Sequence, residues 1–79
     1  MAHVRYFVTP MDEAWHVTVN GVSMARCPTA EAAVSRAAGM ANLMGKMGHD
    51  SDVMLAIPNR PLELIWTHGI DTYPLPAVA

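Results

Sequence analysis

The spacing of apolar residues changes several times along the chain, and each change falls at residues that favour turns or helix caps. Residues 3–9 are rich in β-branched and aromatic types, which is typical of a β-strand, and Pro10 is predicted to end it. Residues 15–19 alternate between apolar and polar side chains. Asn20-Gly21 follows, and this dipeptide favours a hairpin turn that needs positive φ twice. The pattern predicts a second and a third strand joined at Asn20-Gly21.

A two-residue turn also fixes the register of this hairpin. One face of the ribbon is then apolar and the other mostly polar, as in a half-buried antiparallel pair. Trp15 lies on the apolar face and is predicted to be a core residue, and Trp66 is expected to be at least partly buried. The predicted pairs are Val19 with Val22, Thr18 with Ser23, Val17 with Met24, His16 with Ala25, and Trp15 with Arg26.

Thr29 follows a Cys-Pro pair that ends the third strand, and its hydroxyl is suited to cap a helix. Residues 30–44 are mainly Ala, Val, Met and Leu, which predicts a helix that ends at Gly45 or Gly48. One face of this helix carries Ala33, Ala37, Met40, Met44 and Met47. The methionines at 40 and 44 are expected to fill the core, whereas Met47 lies past the predicted helix end and is expected to be exposed.

Composition divides the remainder into a loop at 48–52, a fourth strand at 53–57 and a fifth strand at 62–67. We therefore predict a single small domain over residues 1–68 and an irregular tail over 69–79. The order β-β-β-α-β-β indicates an α+β fold with an antiparallel-rich sheet and one helix packed on one face. A right-handed crossover makes the fourth strand parallel to the first, and it pairs beside the first or the third strand, the first being favoured.

Charge and composition exclude several classes of function. Five basic and seven acidic residues give a net charge of −2, which is not the basic balance of most nucleic-acid-binding proteins. A single Cys cannot form an internal disulfide, and the chain has neither a signal-like start nor about 18 consecutive apolar residues. We expect a cytoplasmic protein without membrane contact.

The residues with chemical potential lack the spacing of a known site. Metal-ligand chemistry is present in His49, Asp50, Asp52, His68 and Asp71. These residues match no recognised ligand pattern, so we interpret them as solvated and predict no metal ion. Cys27 is interpreted as a small buried hydrophobe, because no orienting third group accompanies it. No catalytic or cofactor-binding motif occurs, which predicts a non-enzymatic protein with no cofactor; a minimal enzyme with its site at 49–52 is the weakest alternative.

Several residues together resemble a known family. They are Trp15-x-Val17, Gly21, Arg26, Thr29, Glu31-Ala32 and the Ala-rich run 37–41. Over roughly residues 4–57 the chain is similar to a small bacterial family catalogued as domain of unknown function 2188. The resemblance implies a core tryptophan, a tight turn and a capped helix, and it implies no activity and no catalytic residues.

The predicted sheet has more apolar surface than one helix can cover. Neighbouring residues of a strand point to opposite faces, and Tyr6-Phe7, Met54-Leu55 and Leu64-Ile65 are all apolar neighbours. We therefore expect an interaction module that forms a symmetric homodimer through the open face, with a further protein partner possible. The candidate interface residues are Phe7, Met54, Ile65 and Met47.

Two alternatives to this dimer remain. The tail at residues 73–76 could fold back over the open face within one chain. Alternatively, the face could serve a nucleic-acid-binding accessory protein, with Tyr6, Phe7 and Trp66 stacking on bases. We consider nucleic acid the weaker expectation, since no two basic residues are adjacent.

Overall fold

The computed structural model describes residues 3–73, which form one five-stranded sheet and one helix. The elements are β1 His3–Met11, β2 Ala14–Val19, β3 Val22–Cys27, α1 Ala30–Lys46, β4 Asp50–Leu55 and β5 Glu63–Thr67. The sheet order is β3-β2-β1-β4-β5, and β1 pairs antiparallel with β2 and parallel with β4. The α+β fold and the favoured position of the fourth strand beside the first are confirmed. Within residues 3–73, no helix is both long and apolar enough to cross a membrane.

The first strand is longer than predicted. It continues through Pro10 to Met11, so the prediction that Pro10 ends it is wrong. The chain turns instead at Asp12 and Glu13, which both have positive φ. Pro10 is opposite Trp15. Counted from the turn, this is the second pair of the antiparallel ladder, and it is a non-hydrogen-bonded pair. Because β4 has already ended on the other side, the missing N–H of Pro10 costs the sheet nothing.

The hairpin turn is confirmed, but part of its predicted register is wrong. Asn20 and Gly21 have φ of 52° and 79°, and the first two pairs beyond them are as predicted. A β-bulge at Met24 then adds one residue to β3 and shifts every later pair. The observed pairs are Val17 with Ala25, His16 with Arg26, and Trp15 with Cys27.

The fourth strand begins three residues earlier than predicted. Asp50, Ser51 and Asp52 belong to β4, so the prediction of a loop there is wrong. Ser51 and Asp52 are buried despite being polar, because each has a hydrogen-bond partner. The hydroxyl of Ser51 donates to the carbonyl oxygen of Ala41 in α1, and Asp52 accepts from Arg5 of β1. The composition of this segment predicts that its polar side chains are exposed, because composition does not show their hydrogen-bond partners.

The core lies between α1 and one face of the sheet, and the helix contributes small side chains to it. The fully buried helix residues are Ala33, Ala37, Ala38 and Ala41. Thr29 caps the helix as predicted, accepting a hydrogen bond from the amide of Ala32 at 3.1 Å. The sheet supplies the larger side chains Tyr6, Val8, Val17, Val53 and Trp66. Cys27 is buried among them, as interpreted from the sequence.

The two tryptophans differ in burial. Trp66 is only 1% exposed and is the largest fully buried side chain of the described residues. Trp15 is half-buried and packs against the core rather than within it, so the prediction that Trp15 is a core residue is wrong. Met40 and Met44 are also half-buried and pack against the core, which agrees only in part with the expectation that they fill it. Met47, the helix C-cap, is 62% exposed, as expected.

The segment after β5 packs against Trp66 and α1. The indole N–H of Trp66 donates to the carbonyl oxygen of Thr72 at 3.0 Å, and the ring of Tyr73 meets Trp66 edge-on at 6.3 Å. The hydroxyl of Tyr73 lies 2.9 Å from where a Cβ at Gly39 would be, so Gly39 makes room for it. Tyr73 therefore covers the helix side, not the open sheet face; residues 74–76 of the proposed cover lie outside the described residues.

Trp66→Ala is expected to lower the free energy of unfolding by about 3–5 kcal/mol, because it empties the largest buried volume of the core. Trp15→Ala should cost less, about 1–2 kcal/mol, since the indole of Trp15 is partly in water already. Urea unfolding followed by circular dichroism measures both. A larger loss for Trp15→Ala would contradict the assignment of Trp66 as the central core residue.

Gly45→Ala is expected to destabilise the protein, although Ala favours helix over Gly by about 1 kcal/mol. The reason is that a Cβ at position 45 would overlap the imidazole of His68, which lies against the helix there. In a His68→Ala background the same substitution should stabilise the protein. Thermal unfolding of the four proteins tests this, and stabilisation by Gly45→Ala in the wild-type background would refute the contact.

Candidate functional site

The face of the sheet opposite α1 has an apolar row that crosses three of its five strands, β1, β4 and β5. Tyr6, Val8 and Val53 point into the core, so the alternation of a strand places Phe7 and Met54 on the other face. Strand pairing aligns Phe7 with Met54 and Met54 with Leu64. Phe7 and Met54 are half-buried by their neighbours, whereas Leu64 is 55% exposed. We call Phe7, Met54 and Leu64 the apolar row.

A polar row flanks the apolar row towards the Asp12-Glu13 turn. Strand pairing aligns Arg26 with His16 and His16 with Thr9. The imidazole Nδ1 of His16 lies 2.7 Å from the hydroxyl oxygen of Ser23, and its Nε2 is buried without a hydrogen-bond partner among the described residues. The guanidinium of Arg26 is exposed and donates to the carbonyl oxygen of Asp12 at 3.3 Å. This side of the face therefore carries one positive charge that no carboxylate neutralises.

A second polar row lies on the other side of the apolar row and holds a buried carboxylate. Oδ1 of Asp52 accepts from Nε of Arg5 at 2.9 Å, and Oδ2 accepts from Nη2 of Arg5 at 3.0 Å. Nε2 of His3 lies 2.9 Å from the same Oδ2. Burial of Asp52, whose side chain is 7% exposed, would by itself raise its pKa. The hydrogen bonds and charges of Arg5 and His3 outweigh burial and hold the pKa of Asp52 below its ordinary value of 3.8. Asp52 therefore stays ionised in its pair with Arg5.

A pocket of about 300 Å³ opens at this end of the sheet. It is lined by His3, Asp50, Ser51, Asp52, Thr67, His68 and Ile70. Of the residues with metal-ligand chemistry, Asp50, Asp52 and His68 share this pocket, whereas the Asp71 carboxylate accepts from the amide of Thr67. Over residues 3–73, no group of three or more His, Cys, Asp or Glu residues is placed to hold a metal ion. The sequence does not show that His3 and Arg5 are partners of Asp52, because these two residues lie 49 and 47 positions away from it along the chain.

The structure brings together two of the four candidate interface residues. Phe7 and Met54 are adjacent in the apolar row. Ile65 is the extra residue of a bulge in β5 and packs against the core, so its neighbour Leu64 takes the place on the open face. Met47 caps the helix on the opposite side of the sheet.

The aromatic residues considered for base stacking are not together on this face. Tyr6 and Trp66 are buried in the core, which leaves Phe7 as the one ring of the three on the open face. Arg5, the basic residue nearest to Phe7 along the chain, is held by Asp52. Within residues 3–73 the open face therefore presents Phe7 as the one stacking ring of the three, with its neighbour Arg5 engaged in an ion pair.

A second exposed apolar surface lies along α1. A shallow groove of about 550 Å³ is lined by Ala32, Ser35, Arg36, Gly39, Met40, Leu43 and Tyr73. Leu43 is 56% exposed there, which is nearly the exposure of Leu64 on the sheet face. The two leucines allow the two surfaces to be compared directly.

The chain matches no family model, no curated protein and no solved structure. The resemblance of residues 4–57 to the family catalogued as domain of unknown function 2188 therefore stays a prediction.

Asp52→Asn is expected to lower the free energy of unfolding by about 1–2 kcal/mol at neutral pH, because Arg5 and His3 lose their charged acceptor. The pKa of Asp52 is lower in the folded chain than its ordinary value of 3.8. The contribution of its charge is therefore complete above that value and is lost as the pH falls through the folded pKa. Urea unfolding of both proteins from pH 7 to about pH 2 should show the difference disappear at the acid end.

Glu63→Gln is the matched control, because Glu63 is an exposed carboxylate on the neighbouring strand with no ion pair in the described part of the chain. It should change stability by less than about 0.5 kcal/mol. Equal losses for the two variants, or a loss for Asp52→Asn that is independent of pH, would contradict the role of the ion pair.

Proposed function

We propose that this protein is a non-enzymatic interaction module that forms a symmetric homodimer through the open face of its sheet. The apolar row of Phe7, Met54 and Leu64 carries this proposal. It lies on the face that α1 does not cover, between two polar rows. An apolar centre with a polar rim is the usual anatomy of a protein–protein interface.

The size of the chain supports association. A domain of about 60–80 residues buries only about 60% of the surface of its unfolded chain, so burial against a partner adds a substantial fraction to its apolar core. Five strands about 4.8 Å apart and about 20 Å long give a face of roughly 500 Å². Two such faces bury about 1,000 Å², which is the lower limit for a specific interface. We therefore expect a dimer that dissociates in the micromolar range.

The edges of the sheet favour the face as the contact surface. Both edge strands contain a β-bulge, at Met24 in β3 and at Ile65 in β5. A bulge interrupts the row of backbone groups that an added strand would need, and natural sheets use it to prevent edge-to-edge pairing. Association through side chains on the open face avoids this obstacle. A cytoplasmic location for the dimer stays a prediction of the sequence.

Leu64→Glu is expected to weaken the dimer by about tenfold or more, because it introduces a charge into the apolar row that the two copies bury. Leu43→Glu makes the same change at an equally exposed leucine on α1 and should leave the dimer intact. Sedimentation velocity of the three proteins from about 1 µM to about 1 mM measures the dissociation constants.

Each alternative predicts a different outcome of this experiment. A dimer that is lost in Leu43→Glu but kept in Leu64→Glu would move the interface to the helix groove. A wild-type protein that stays monomeric at the highest concentration would overturn the homodimer. Circular dichroism checks that both variants are folded.

A further inference from the structure

We infer that the two copies meet in one orientation, in which Arg26 of each copy contacts Asp50 of the other. This inference rests on the proposed dimer and specifies how its two faces are arranged. It is drawn from the positions of the free charges on the open face and from the symmetry of a two-fold contact.

Arg26 and Asp50 both lie on the open face. Ala25 and Cys27, the neighbours of Arg26, pack in or against the core, so Arg26 points to the other side. Ser51 points towards α1 and donates to its backbone, so the adjacent Asp50 points to the open face. Both side chains belong to exposed residues.

These two residues are the unneutralised charges of the face within residues 3–73. Arg5 and Asp52 form an ion pair with each other. Arg26 donates only to a backbone carbonyl, and Asp50 has no ion pair in the described structure. The face therefore carries one free positive charge and one free negative charge.

The two charges occupy opposite corners of the face. Arg26 is on the edge strand β3 and is aligned with His16 and Thr9, beyond the apolar row in the direction of the first turn. Asp50 is on β4, on the other side of β1, and is aligned with His3 at the start of that strand. A line from one to the other crosses the face diagonally and passes close to Phe7, at one end of the apolar row.

Consider a two-fold axis that lies in the plane between the two faces and crosses the line from Arg26 to Asp50 at its midpoint, at a right angle. This axis brings both pairs of opposite charges together at once, because in an isologous contact residue i meets j and j meets i. With strands about 4.8 Å apart and about 3.3 Å per residue, this axis passes within about 2 Å of Phe7 and Met54 and about 4 Å of Leu64. The apolar row of each copy therefore packs on the apolar row of the other. The two Arg26 positions are about 25 Å apart, so like charges do not meet.

The same construction makes the strands of the two sheets cross at about 70°, which is closer to orthogonal than to aligned sheet packing. The pairing of free charges and the self-packing of the apolar row are separate requirements, and one axis satisfies both. That agreement favours a second copy over another protein as the occupant of the face.

Charge reversal tests the orientation. Arg26→Asp and Asp50→Arg should each weaken the homodimer by about tenfold or more, since each places two pairs of like charges in contact. The double variant should bind within about threefold of wild type, because the pairs are restored with exchanged signs. An equimolar mixture of the two single variants should form a heterodimer, since Arg then meets Asp at both corners. Sedimentation velocity at low ionic strength measures all five samples.

Arg60→Asp is the control, because Arg60 is an exposed residue in the turn between β4 and β5. This substitution changes the net charge by the same amount as Arg26→Asp. It should leave the dimer unchanged. A wild-type monomer would overturn the proposed dimer together with this orientation. A wild-type dimer that neither single variant weakens, or single variants whose mixture and double variant fail to recover binding, would overturn the orientation and leave the proposed function standing.

Discussion

The close approach of α1 to the sheet is the constraint on which the rest of this fold depends. Four alanines form the buried surface of the helix, so the helix itself adds little apolar volume to the core. The large side chains must therefore come from the sheet, and Trp66 on the edge strand supplies the largest. An edge position leaves Trp66 open on one side, which is why the chain continues past β5 and closes over it with Thr72 and Tyr73.

The same constraint explains why the second sheet face has no cover within the described chain. One helix with small side chains is fully used in covering one face, and the segment after β5 also goes to the helix side. The apolar residues of the other face keep their exposure because the described chain has no element left to cover them. The proposed association through this face would follow from how the core is built rather than from a separate binding motif.

The sequence predicts those parts of the fold that depend on local chemistry. The Asn20-Gly21 turn, the Thr29 cap and the alternation around Tyr6 and Phe7 each follow from neighbouring residues, and each agrees with the structure. The parts that were missed depend on residues far apart. The bulge at Met24 leaves no mark in the alternation, and the burial of Asp52 requires knowing that Arg5 lies on the adjacent strand. For the candidate site, the sequence predicts Phe7 and Met54 as face residues. It also predicts Ile65 there in place of Leu64, because it does not show the second bulge that sets which of the two points outwards.

The placement of the tryptophans has a practical consequence for studying this protein. Both indoles lie on the helix side of the sheet, Trp66 within the core and Trp15 against it. Intrinsic fluorescence therefore reports whether the helix is docked on the sheet and is insensitive to what covers the opposite face. Folding and association can thus be followed by separate signals in one unlabelled sample, with emission reporting the first and hydrodynamic size the second.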